Sequence, residues 1–247
     1  MAAGPSEEAL AVAKDQASEL MENGALATIL TGSHARGDAH EESDLDIRAV
    51  GDGPDKTLKR HEGFLISLSA MSLDENRKAF ADPDQVGEFV PGWRTAVVLF
   101  DPKEVAAELK KRAEAWDWSD LGDEGPKWVA EQMTLLAEEV HTLLGNLDQG
   151  QESGAAAIRS QIALDLAKVL SVHEKILYGS ENDLWKLVGE AVGPVYTKVQ
   201  AIALGLEGDD FKESCTATFR LFELAVDRTR SLLDRRQGEV VDHALKL

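Results

Sequence analysis

The sequence predicts an α+β protein in which a small mixed β-sheet flanked by helices is followed by an all-α helical bundle. Two observations support this prediction. All strand candidates lie before Pro102, whereas the chain beyond it has apolar residues at helical spacing and hardly a strand candidate. Short connections that contain Gly, Pro or Asn separate the later helices, as is typical of a bundle. We therefore predict two domains, residues 1–118 and 119–247.

The first domain begins with a helix over residues 6–22, where apolar residues recur at helical spacing and Asn23-Gly24 provides a stop. A capped helix is predicted at "SLDENRKAF", with Ser72 as N-cap and Glu75 three residues later. Four strands are predicted from apolar runs bounded by turn signals: "ALATILTG", "DLDIRAV", residues 63–69 and residues 94–100.

The second half is predicted to be helical. A helix at "KEVAAELKKRAEAW" precedes the segment 116–126, which we interpret as a linker that is packed, because it contains two tryptophans. Five bundle helices are predicted from the apolar periodicity, over residues 127–144, 155–177, 182–192, 195–204 and 210–233.

Composition restricts the classes of partner. The formal net charge is −19 with a pI near 4.7, which disfavours binding to nucleic acid and suits cationic small molecules or basic proteins. No apolar stretch approaches a membrane span and no signal peptide is seen, so no membrane partner and a cytoplasmic location are expected. Cys215 is the only cysteine, which excludes an internal disulfide and thiolate zinc sites.

The stretch "LTGSHARGDAHEESDLDIRAV", residues 30–50, contains a dense group of acids between two apolar runs. Strand alternation places Asp44 and Asp46 on one side, so two carboxylates share a small volume that favours a cation. Mg²⁺ is held in this way by one or two carboxylates, with water and phosphates completing its coordination. Gly32 and Ser33 end a strand, where the backbone can approach a ligand closely. Together these features predict a nucleotide site.

The pattern "GS", ten residues and then "DLD" resembles the nucleotidyltransferase superfamily of the DNA polymerase β type. The similarity is greatest to minimal nucleotidyltransferases and to adenylyltransferases that modify aminoglycosides and lincosamides, and it covers residues 25–101. The resemblance implies that Gly32 and Ser33 contact the triphosphate of ATP and that Asp44 and Asp46 hold two Mg²⁺. Ser43 is included as a nucleotide-binding residue. For Arg36, contact with phosphate and a role in shaping the loop are both left open.

One feature departs from the family pattern. Members usually carry a third carboxylate on the next strand, and Ser67 occupies that position here. Serine cannot act as a carboxylate base near neutral pH. Three hypotheses follow: the base comes from elsewhere, Glu62 or Asp74 reaches the site, or the protein binds nucleotide without turning it over.

The expected function is Mg²⁺-dependent transfer of a nucleoside monophosphate, AMP from ATP, to a hydroxyl of a small acceptor bound between the two domains. The acidic balance suits a cationic acceptor such as an aminoglycoside-like antibiotic. The alternatives are a protein adenylyltransferase of toxin–antitoxin type and a degenerate nucleotide-binding protein. A homodimer is left open.

Overall fold

The fold was analysed in a computed structural model that describes residues 4–208 and 210–246. The chain divides into two compact units, one ending at Asp120 and the other beginning at Leu121. The first unit contains a mixed sheet with flanking helices and the second is helical, which confirms the predicted fold class.

The sheet of the first unit has five strands in the order β3-β4-β2-β1-β5. Strands β2 and β4 run parallel, and every other neighbouring pair is antiparallel. The strands are β1 (Ala25–Thr31), β2 (Leu45–Gly51), β3 (Thr57–His61), β4 (Phe64–Met71) and β5 (Val97–Phe100). The central position of β1, β2 and β4 explains why their apolar runs are the clearest strand signals in the sequence.

Five helices accompany this sheet: α1 (Glu7–Glu22), α2 (Gly32–Arg36), α3 (Leu73–Ala79), α4 (Val86–Thr95) and α5 (Val105–Ala115). Helix α1 begins at the N-cap Ser6, whose hydroxyl accepts from the Ala9 N–H. Its apolar side covers one face of the sheet, in a core that includes Val12, Leu45 and Ile47. Because strand side chains alternate, Asp46 and Ser67 lie on the opposite face.

Several elements of this unit differ from the sequence prediction. Strand β3 was not predicted, because "LKRHE" is charged; it is an edge strand, and charged side chains are common there because they discourage further pairing. The strand predicted over residues 94–100 is shorter, because residues 94 and 95 end α4. Pro91 lies inside α4 and obscured its periodicity.

A 3₁₀ turn, Trp118–Leu121, ends at the first residue of the second unit. Over residues 121–208 and 210–246, this unit contains six α-helices. They are α6 (Glu124–Asp148), α7 (Glu152–His173), α8 (Glu181–Val192), α9 (Pro194–Ala203), α10 (Phe211–Thr229) and α11 (Arg235–Ala244). The helix predicted over residues 210–233 is therefore interrupted. A 3₁₀ turn follows Thr229, and Asp234 then starts α11 with a capping box in which its carboxylate accepts from the Gln237 N–H.

The segment predicted as a packed linker is ordered by one buried tryptophan. The Trp116 ring is 5% exposed, and its Nε1–H donates to the Phe80 carbonyl oxygen over 2.8 Å. The Arg94 guanidinium donates to the carbonyls of Ala113 and Trp116, over 2.8 and 2.9 Å. Within residues 4–208 and 210–246, none of the helices has the length and apolar character needed to cross a membrane.

Candidate nucleotide and metal site

The candidate site is centred on Asp46, the second residue of β2. In the strand register Asp46 lies opposite Thr31 on β1 and opposite Ser67 on β4, and Ser67 in turn lies opposite Leu58 on β3. Residues paired in this way share one face of the sheet. Four strands therefore contribute one residue each to a row in which Asp46 has a neighbour on both sides.

Gly32 makes the closest approach to Asp46. It follows β1 directly and has a φ of +70°, in the left-handed region that favours glycine. A Cβ atom at this position would overlap Asp46 Oδ2 and lie 3.2 Å from Asp46 Cγ. The Asp46 carboxylate therefore occupies space that is available only because residue 32 has no side chain. The backbone that begins α2 consequently lies directly against the Asp46 carboxylate.

The electrostatic environment of Asp46 favours binding of a cation. Burial raises the pKa of the Asp46 carboxyl group, and the nearby charge of Asp44 raises it further. Three groups oppose this rise: a hydrogen bond from the Ser67 hydroxyl and the positive charges of Arg48 and Lys56. The net shift is upward, so these groups do not fully compensate the ionised carboxylate. A divalent cation at Asp44 and Asp46 would supply the missing positive charge.

Ser33, Arg36 and Ser43 are part of the connection from β1 to β2. The Ser33 carbonyl accepts from the N–H groups of Gly37 and Asp38, over 2.9 and 3.1 Å, which closes the end of α2. Arg36 Nε donates to Asp38 Oδ2 over 3.1 Å. This ion pair joins two residues of the loop, and contact of Arg36 with phosphate stays a prediction.

Ser43 stabilises the turn that precedes Asp44. Its hydroxyl oxygen accepts from the His40 N–H over 2.9 Å, and its own N–H donates to the His40 carbonyl over 2.9 Å. These two hydrogen bonds between residues 40 and 43 close the turn that leads the chain into β2. Ser43 therefore helps to set the position from which Asp44 enters the site.

Ser67 takes the place beside Asp46 where the third carboxylate was sought. It is only 8% exposed and lies opposite Asp46 in the strand register. Glu62 lies in the turn before β4 with a φ of +47°, and Asp74 lies in the first turn of α3, after β4. At ~3.3 Å per strand residue, Phe64 at the start of β4 is already about 10 Å from Ser67. The strand register thus brings Ser67, and neither acid, next to Asp46.

Sequence patterns did not indicate Arg48, Lys56 and Glu88 as neighbours in the site. Arg48 is half-buried two residues after Asp46 on β2, and strand alternation could have placed it on the same face. Burial lowers the pKa of the Arg48 guanidinium, and the negative charges of Glu88 and Asp46 partly oppose this shift. No local pattern links Lys56 or Glu88 to Asp46, since they belong to the connection before β3 and to α4.

The donor set fits one divalent cation. Two carboxylates, together with the phosphates of a nucleotide and water, are the usual protein contribution to a Mg²⁺ site. Over residues 4–208 and 210–246, no group of three or more His, Cys, Asp or Glu side chains is arranged to hold a metal ion. The site can therefore offer a metal two carboxylates at Asp44 and Asp46, with the neutral hydroxyl of Ser67 beside them.

The chain resembles known proteins in its N-terminal domain and in its fold. Residues 14–115 match the family model of the nucleotidyltransferase domain. The chain is similar to the crystal structure of a nucleotidyltransferase-like protein from Exiguobacterium sibiricum, with 13% sequence identity and a TM-score of 0.51. That likeness covers 94% of this chain and 78% of the other, and at this identity it concerns the fold. No curated protein matches the chain.

Proposed function

Because residues 14–115 match the family model of the nucleotidyltransferase domain, we propose that the protein transfers a nucleoside monophosphate, AMP from ATP, to a hydroxyl group of an acceptor with the help of Mg²⁺. In this reaction a bond forms between the acceptor oxygen and the α-phosphorus, the bond from that phosphorus to the pyrophosphate oxygen breaks, and the acceptor hydroxyl loses its proton. A nucleotide substrate and nucleotidyl transfer are what the domain implies. The nature of the nucleotide, metal and acceptor is our proposal.

The observation that carries the proposal is the approach of Gly32 to Asp46. A glycine backbone at the end of β1 and a carboxylate that lacks full charge compensation meet on one face of the sheet. We assign the triphosphate to the backbone of Gly32 and Ser33, whose N–H groups can donate to phosphate oxygens. We assign Mg²⁺ to Asp44 and Asp46.

Each group contributes to transfer mainly by position and charge. Bound Mg²⁺ would neutralise charge on the phosphates, and such electrostatic stabilisation dominates catalysis of phosphoryl-type transfers. Asp44 and Asp46 would hold the cation, and the turn closed by Ser43 would hold Asp44. Ser67 does not accept the acceptor's proton, because its hydroxyl donates to Asp46 and is too weak a base. We expect the base to come from another residue or from the acceptor.

We propose the chemical class of the acceptor from the net charge of the protein. With a net charge of −19, the protein would attract a small cationic acceptor, such as an aminoglycoside-like antibiotic, more readily than an anionic one. Protein adenylylation of the toxin–antitoxin kind, a homodimer and a cytoplasmic location also stay predictions. A second candidate function, nucleotide binding without turnover, is favoured by the hydroxyl of Ser67 at the position of the third carboxylate.

The test is transfer of label from α-labelled ATP in the presence of Mg²⁺, first to a panel of small hydroxyl acceptors and then to co-purified polypeptides. Asp46→Asn should abolish transfer, because it removes the charge that holds the metal. Glu41→Gln is the matched control: Glu41 is an exposed acid of the same loop, and its loss should leave transfer unchanged. Nucleotide binding that Asp46→Asn abolishes, with no transfer to any acceptor, would select the non-catalytic alternative. Absence of both binding and transfer would refute both functions.

A further inference from the structure

The groups around Asp46 on the β4 side differ from those expected of a site for two metal ions. On this side the neighbour of Asp46 in the strand register is Ser67, whose side chain is neutral. A magnesium ion requires six oxygen ligands in near-ideal octahedral geometry and gives up its water reluctantly. A neutral hydroxyl offers one weak ligand and no charge to a second ion.

The Ser67 hydroxyl is already engaged. Ser67 is 8% exposed and lies opposite Asp46 in the strand register, and a hydrogen bond from its hydroxyl lowers the pKa of the Asp46 carboxyl group. A hydrogen bond to a charged group restricts the orientation of a carboxylate more firmly than one between neutral groups. The Ser67 hydroxyl therefore orients the Asp46 carboxylate.

Positive charge from the protein is also present next to Asp46. Arg48 follows it by two residues on β2 and pairs with Ser69 of β4, so the guanidinium stands in the next row of the same face. Lys56, before β3, acts on Asp46 in the same direction. A second divalent ion beside Ser67 would have no carboxylate from β4 and would face the positive charge of Arg48 in the next row, which disfavours it.

We propose that this site holds a single divalent cation at Asp44 and Asp46, and that Ser67 is a positioning residue that orients the Asp46 carboxylate where a ligand for a second ion would otherwise stand. The inference rests on the proposed function, because it concerns the metal that accompanies the nucleotide. It differs from the two ions implied by the sequence resemblance.

Counting the ions tests this inference. Crystals of the full chain grown with Mn²⁺ and a non-hydrolysable ATP analogue should show one anomalous peak at Asp44 and Asp46. Two peaks beside the bound analogue would overturn the inference and leave the proposed function standing. If neither the analogue nor Mn²⁺ is bound, the proposed function fails, and the inference fails with it.

Substitutions at position 67 test the role of the hydroxyl in solution, where bound Mn²⁺ is counted by electron paramagnetic resonance with protein and analogue at equal concentration. Ser67→Asp should raise the count by one ion per chain. Ser69→Asp is the matched control on the same face, beside Arg48, and should leave the count unchanged. A folded Ser67→Asp variant with an unchanged count would overturn the inference.

Ser67→Ala and Ser67→Thr keep the inference testable even if the aspartate variant does not fold. Loss of the hydroxyl removes a hydrogen bond to a charged group, which corresponds to about tenfold weaker binding of Mn²⁺ at the low end of such contributions. Threonine retains the hydroxyl and suits a strand, so Ser67→Thr should bind Mn²⁺ as the parent does. Equal Mn²⁺ affinity of the alanine variant and the parent would refute the positioning role.

Discussion

Replacement of Gly32 by alanine tests whether the space beside Asp46 depends on the missing side chain. The new Cβ would overlap Asp46 Oδ2 and lie 3.2 and 3.3 Å from Asp46 Cγ and Cβ. Ordinary contacts need ~3.5 Å or more. The overlap with Oδ2 is the largest of the three, and its relief requires the carboxylate to move by roughly 1 Å. A shift of that size would break the hydrogen bond from Ser67, which is worth about 1.5–3 kcal/mol for a charged acceptor.

The expected result is at least about tenfold weaker binding of Mn²⁺ and of an ATP analogue, since ~1.4 kcal/mol corresponds to a factor of ten. Left-handed backbone at residue 32 adds a stability cost of roughly 1–2 kcal/mol for a residue with a Cβ. The measurements are isothermal titration calorimetry for binding and urea unfolding for stability.

Gly63→Ala is the matched control for this experiment. Gly63 also has a positive φ, +86°, but a Cβ there would meet no atom within 4 Å. This variant should lose a similar ~1–2 kcal/mol of stability and bind ligands as the parent does. If Gly32→Ala and Gly63→Ala bind Mn²⁺ and the analogue equally well, the inferred displacement of Asp46 is wrong.

Three further predictions concern stability in urea. In metal-free protein, the pKa of Asp46 is higher in the folded state than in the unfolded state. The contribution of this carboxyl group to the free energy of unfolding is therefore present below the unfolded pKa and is lost as pH rises through the folded pKa. Asp46→Asn should therefore gain stability relative to the parent as pH rises from about 4 to 8; a pH-independent difference would contradict this. Trp116→Phe leaves the buried Phe80 carbonyl without its donor and should cost about 1–3 kcal/mol; an unchanged midpoint would show that the bond contributes nothing. Ser72→Ala removes the N-cap of α3 and should cost ~0.5–2 kcal/mol, which a midpoint equal to the parent's would refute.

Local patterns predicted much of the fold. The helix periodicity of α1, the apolar runs of β1 and β2, and the capping box at Ser72 all act over a few residues, and the structure contains each of them. Strand β3 and helix α4 escaped prediction for physical reasons. An edge strand such as β3 does not need an apolar face, and the buried residues of α4 are interrupted by Pro91.

For the candidate site, local patterns in the sequence predicted the residue types: a glycine and a serine after a strand, two aspartates at a spacing of two, and a serine on the following apolar strand. These features depend on residue type and strand alternation, which are local properties. They are the reason that Gly32, Asp46 and Ser67 could be named before any distance was known.

The groups that surround Asp46 could not be predicted from local patterns. The row formed by Thr31, Asp46, Ser67 and Leu58 depends on the register of four strands, and register is set by core packing and turns between segments that are distant in the chain. The same packing brought the charges of Arg48 and Lys56 close enough to act on this carboxylate. Electrostatic energy depends on distance and burial, and neither is encoded in the order of residues alone.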